Sequence, residues 1–159
     1  MQIIEAPIGQ QSDLLLADKA DIALYIEPFI SIAEARGGRV VYSPATLYKD
    51  YAFSALYSSE RFIRENSGTI ETVQKVIQES LNLLHSSPET GVKTAQNLFP
   101  ELNPAILNRA VKRCLNDSIW PTHIFPPPKG WKTALQTRKD AGYEIPAESS
   151  RISKIEYKR

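Results

Sequence analysis

Tyr25, Glu27 and Pro28 stand together in a place suited to ligand chemistry. They follow Asp21–Ile26, a nearly continuous apolar run bounded by charges, whose length and β-branched content predict a buried strand. In open α/β sheets, ligands bind outside the carboxyl ends of strands. A carboxylate there accepts hydrogen bonds from an amine or amide, and a phenol stacks and donates. A structural role is the favoured reading for both: Glu27 as a cap or as the partner of Arg36 or Arg39, and Tyr25 as core.

The other chemistry-bearing residues form no constellation. His85 sits near a predicted helix C-terminus, where the dipole favours it. His123 lies far away in a proline-rich stretch, and no His/Cys/Asp/Glu group has metal-ligand spacing. Cys114, the only cysteine, falls on the apolar stripe of a predicted helix and reads as a small core residue. Gly37-Gly38 ends a helix, whereas a phosphate loop opens one. With no acid–base pair or activated nucleophile, the chain is expected not to be an enzyme and to need no cofactor.

The elements that would position these residues change character along the chain. Gln2–Ala6, Asp21–Ile26 and Arg39–Ser43 read as strands, separated by helices over about Asp13–Lys19 and from Pro28 to Gly37. That alternation predicts a parallel α/β sheet. Ser43–Asp50 is a polar connector, and Tyr51–Tyr57 reads as a further strand. Helices follow: a short one capped by Ser58 or Ser59 through about Glu65, an amphipathic one over about Thr69–His85, then Pro88–Leu98 and Pro104–Asn116, each opened by a proline. Pro126-Pro127-Pro128 reads as a stiff spacer, Trp131–Asp140 as a last helix stopped at Gly142, and 144–159 as a mobile tail with a basic end.

Two stretches carry a family resemblance. One is Leu14-Leu15-Leu16-Ala17-Asp18-Lys19-Ala20-Asp21-Ile22-Ala23-Leu24-Tyr25-Ile26-Glu27-Pro28-Phe29 with Gly37-Gly38-Arg39-Val40. The other is Ser59-Glu60-Arg61-Phe62-Ile63-Arg64-Glu65-Asn66 and the long helix after it. In order and spacing they resemble the later half of the NMT1/THI5-like substrate-binding proteins of ABC importers, over residues 1–143. The resemblance implies an α/β, two-lobed periplasmic-binding-protein-like architecture: a parallel-type sheet at the N-terminus and a helical C-terminal part. Residues 1–43 would belong to the second lobe, 44–50 would be the lobe-crossing connector, and 51–143 would form the return strand and helical cover of the first lobe. It also implies a solute such as a sulfonate, nitrate or thiamine-pyrimidine precursor in an interlobe cleft, and importer membrane subunits as partners. Tyr51 and Phe53 would border that cleft as an aromatic floor; ordinary packing on a half-buried strand is the other reading, and for Phe53 the favoured one. The cysteine-rich motif of the family's pyrimidine-forming enzymes is absent from this sequence.

Composition sets the bounds. Of 159 residues, 42% are apolar and 23% charged, so a real core is expected without disulfides. Nineteen Lys/Arg against eighteen Asp/Glu give a net charge of +1, which excludes a strongly basic nucleic-acid-binding body. No apolar run reaches the ~20 residues of a membrane span, and the N-terminus carries no signal-peptide pattern. A full-length family member would act in the periplasm or outside the cytoplasm, and this chain, if complete, in the cytoplasm. The first half of lobe one has no counterpart here. The Tyr51–Tyr57 edge is therefore expected to leave the chain as a homodimer, or folded only with a complementary N-terminal half. The alternative function is a helical protein–protein interaction module with a vestigial ligand cleft.

Overall fold

A computed structural model of the chain describes residues 2–48, 50–125 and 127–146. Their regular elements are all helical: α1 (Gln11–Leu16), α2 (Phe29–Ala35), α3 (Glu60–Glu65), α4 (Ser67–Ser86), α5 (Pro88–Leu98), α6 (Pro104–Asn116) and α7 (Pro128–Asp140), with a 3₁₀ turn at Pro44–Thr46. No strand forms among the described residues. The expected parallel sheet over Gln2–Ala6, Asp21–Ile26 and Arg39–Ser43, and the return strand at Tyr51–Tyr57, are therefore corrected. With them goes the α/β, two-lobed periplasmic-binding-protein-like architecture. The reason is physical: strand propensity measures how side chains fit a pleated, half-buried surface, and the strand itself exists only when another segment pairs with it. No described residue supplies that partner. No described helix is long and apolar enough to cross a membrane.

The chain divides into two compact units, Met1–Ser43 with Leu83–Trp120, and Pro44–Asn82 with Pro121–Arg159. The first is organised around α6. Asn103 caps it, its Oδ1 accepting from the Ala105 N–H at 2.8 Å, and Pro104 follows at the position where a missing N–H is harmless. Leu107, Ala110, Val111 and Cys114 recur on one face and are buried. That face packs on α5 and α2. Gly91 on α5 gives Leu84 its room, since a Cβ there would collide with Leu84 Cδ1. Gly9, at φ +94°, lies 3.0 Å from Phe29 Cε1 as measured from the Cβ it lacks, so both its backbone and its smallness serve the turn before α1.

The second unit holds α3 and α7. Ser59 Oγ accepts from the Phe62 N–H at 3.2 Å and caps α3. Ser59→Ala is expected to cost about 0.5–2 kcal/mol and to melt α3 first, read as lost helical signal before the main transition. On α4, the Gln78 amide donates to the Thr122 carbonyl at 2.8 Å and accepts from the Ile124 N–H at 3.2 Å, tethering 122–124 at two points. Gly130 is buried in the first turn of α7, where its carbonyl accepts from the Ala52 N–H at 3.1 Å. Pro128, read in the sequence as spacer, is the first residue of α7. Ile77 lies mid-stripe on α4 but is only half-buried. Ile77→Ala is therefore expected to cost about 1–2 kcal/mol by chemical denaturation, below the range for a fully buried position. The expected tail falls, from residue 147 on, outside the described residues.

Candidate functional site

Two features of the first unit are candidates: an ion-pair latch between α2 and α6, and an apolar segment left unpaired ahead of α2. The latch begins at Glu27. Its carboxylate accepts from the Ser31 N–H and from Ser31 Oγ, both at 3.1 Å, and so satisfies an orphan donor in the first turn of α2. Arg113 Nε donates to Glu27 Oε1 at 2.6 Å, and Arg113 Nη2 donates to Glu34. Arg109 lies 3.7 Å from Glu34 as a second, more exposed partner. Glu27, Glu34 and Arg113 each keep less than a quarter of their side-chain surface in water. This is a desolvated, hydrogen-bonded charge cluster, and its chemistry is structural: every carboxylate oxygen it uses already has a donor.

Cys114 sits beside the latch. Its thiol is pushed up to about 11, first by burial, then by the charges of Glu27 and Asp117, with Arg113 pulling the other way. At neutral pH it is a protonated, buried core group and a poor nucleophile. The folded state thus holds the proton above the pH at which the unfolded thiol, near 9, releases it. Stability is full below that pH and is lost as pH rises from about 9 through about 11. Cys114→Ala should flatten this loss when unfolding free energy is measured across that window. A native thiol that alkylates readily at pH 8 would contradict the assignment.

Beside α6 lies an open hollow of about 460 Å³ lined by Ala105, Asn108, Arg109, Lys112, Arg113, Asn116 and Asp117. Its three cations are balanced by Glu27, Glu34 and Asp117, the last of which accepts from Ser43 Oγ at 2.8 Å. The hollow therefore presents no net positive field to an anion. No group of His, Cys, Asp and Glu among the described residues could hold a metal ion.

The second feature is Asp21–Ile26. Ala23 and Tyr25 are half-buried, while Ile22, Leu24 and Ile26 are 79%, 81% and 60% exposed. An alternation of period two is that of an extended segment with one face turned inward. The outward face is wholly aliphatic. No backbone N–H or C=O from Asp21 to Tyr25 bonds to another described residue. Tyr25 Oη is buried without a hydrogen-bond partner among the described residues. Its pKa is raised, by burial first and by the Asp13 charge, with Arg36 opposing. Asp13 and Arg36 are themselves paired at 2.8 Å, joining α1 to the end of α2. Ile3, Ile4, Val41 and Tyr42, in the flanking segments that also read as strands, are likewise exposed.

The four residues singled out in the sequence thus have distinct placements. Glu27 is engaged in the latch, with Arg113 rather than Arg36 or Arg39, and Tyr25 lies near the Asp13–Arg36 pair. Tyr51 and Phe53 belong to the second unit: Tyr51 is half-buried, edge-on to Tyr48 at 5.7 Å and 6.5 Å from Phe53, while Phe53 is 88% exposed. Sequence reasoning missed Ser31, Glu34, Arg109 and Arg113. The signal was present, with Glu27, Ser31 and Glu34 at helical spacing ahead of and along α2, and Arg109 and Arg113 one turn apart on α6. Comparison of the chain with family models, with curated proteins and with solved structures finds no match.

Proposed function

We propose that this chain is a helical protein–protein interaction module whose exposed aliphatic segment, Ile22–Leu24–Ile26, takes up a polypeptide partner. One observation carries the reading: an extended segment with an aliphatic outer face, whose backbone from Asp21 to Tyr25 has no partner among the described residues, leads into the α2–α6 latch. An extended segment whose backbone groups have no partner among the described residues can pair with an extended polypeptide, main-chain hydrogen bonds giving affinity and alternate side chains selectivity. The first unit provides a rigid mount, since Glu27 at the end of the segment is tied to both α2 and α6.

A thermal-shift panel separates this reading from binding of a small solute. A solute at 100 times its dissociation constant would stabilise the chain by about 2.7 kcal/mol. The module reading expects no shift with sulfonates, nitrate or pyrimidines. It also expects Leu24→Lys to leave the melting temperature nearly unchanged, because Leu24 is already in water. A saturable shift with one of these solutes would overturn it.

A further inference from the structure

We propose that Phe53–Tyr57 is a cleavage site for an endoprotease that accepts an aromatic or leucyl side chain, and that the cut chain stays assembled. A protease cleft takes its substrate extended, contacts side chains on both faces and needs a backbone free of other bonds. Every residue from Phe53 to Ser59 is exposed, and no backbone N–H or C=O from Phe53 to Ser58 bonds to another described residue. Phe53, Leu56 and Tyr57 are 88%, 79% and 97% exposed, so three acceptable side chains crowd one short unbonded stretch. Other exposed candidates are held more firmly. Leu24 is flanked by half-buried Ala23 and Tyr25, which turn one face of that segment inward. Leu47 and Tyr48 both donate their N–H groups to the Pro44 carbonyl. Tyr143 donates its N–H to the Arg138 carbonyl, and the Arg138 guanidinium lies 5.0 Å from the centre of its ring.

The step is a hydrolysis. Water adds across the peptide bond that follows Phe53, Leu56 or Tyr57; its C–N bond breaks, leaving a carboxylate on that residue and an ammonium on the next. The first unit is discontinuous in sequence, being built from Met1–Ser43 and Leu83–Trp120, so the cut falls in the chain between its two pieces and within neither. Those pieces are joined without the connecting chain: α2 packs on α6, Arg113 pairs with Glu27 and Glu34, and Ser43 Oγ donates to Asp117 at 2.8 Å. In the second unit the residues ahead of the cut keep their own ties. Asp50 lies 3.2 Å from the Lys129 ammonium, and the Ala52 N–H donates to the Gly130 carbonyl at 3.1 Å. Cleavage removes only the advantage of tethering the two pieces in one chain.

Limited digestion of the native chain with chymotrypsin tests both halves, with cuts placed by mass spectrometry and products followed by size exclusion under native conditions. The first cut between residues 2 and 146 is expected after Phe53, Leu56 or Tyr57. The two products are expected to elute together at the position of the uncut chain, with helical signal retained. Phe53→Asp, Leu56→Asp and Tyr57→Asp combined should abolish that cut and leave helical content unchanged, since all three side chains are already in water. A first cut elsewhere between residues 2 and 146, after Leu24 or Tyr143 for instance, would overturn the site, as would a triple variant digested as fast as the wild type. Products that separate under native conditions would overturn the retained assembly.

Discussion

Arg113→Ala is expected to be among the most damaging single substitutions in the chain, costing about 2–4 kcal/mol of unfolding free energy by denaturant titration. Two carboxylates, Glu27 and Glu34, converge on this guanidinium, and all three groups are largely withdrawn from water. Removing one member of such a cluster leaves the others desolvated and uncompensated, which is worse than never having built it. Arg113→Met should do little better, because the apolar isostere restores volume and not charge. The triple replacement Glu27→Gln, Glu34→Gln and Arg113→Met should recover much of the loss. Glu27→Gln alone keeps an acceptor for Ser31 and should cost only about 1–2 kcal/mol. If Arg113→Ala cost less than about 0.5 kcal/mol, the latch would not be holding α2 to α6.

The second large effect is expected at Leu107. It is 3% exposed and is the largest apolar side chain among the buried described residues; the others are Val111, Cys114 and three alanines. A core made of small side chains gains little from each of them, so its cohesion concentrates in the few larger ones. Leu107→Ala removes most of that side chain at the centre of the α6 face and leaves a cavity between α5 and α6, for about 2–5 kcal/mol. Against a total stability of 5–15 kcal/mol for an ordinary domain, and less for one this sparsely packed, that is enough to populate unfolded chain at 37 °C. Loss of helical signal on mild heating would show it. A cost below about 1 kcal/mol would mean that the α6 stripe is less tightly enclosed than its burial indicates.

Helices were legible because their signals are local. The Pro88 and Pro104 starts, the stripe from Leu107 to Cys114, the Ser59 cap and the Gly37 and Gly142 stops lie within a few residues of what they control, and the structure uses each of them. The short α1 starts earlier than its sequence indicates, and α7 takes in Pro128, because a proline triplet reads equally as spacer and as helix opening. The sheet failed for the opposite reason. Ile22, Leu24 and Ile26 carry strand chemistry, but a strand is completed by a partner that no local pattern supplies. The latch was half legible: Glu27 stood out by its place after an apolar run, while its partner Arg113 lies on a helix 86 positions away and nothing in the spacing pairs them.

Hydrogen exchange at Asp21–Ile26 tests the central claim most directly. The account predicts that these amides exchange at nearly unprotected rates while Leu107–Cys114 on α6 stay protected. Protection equal to that of α6 would contradict it, because it would place the segment in a sheet closed within the chain.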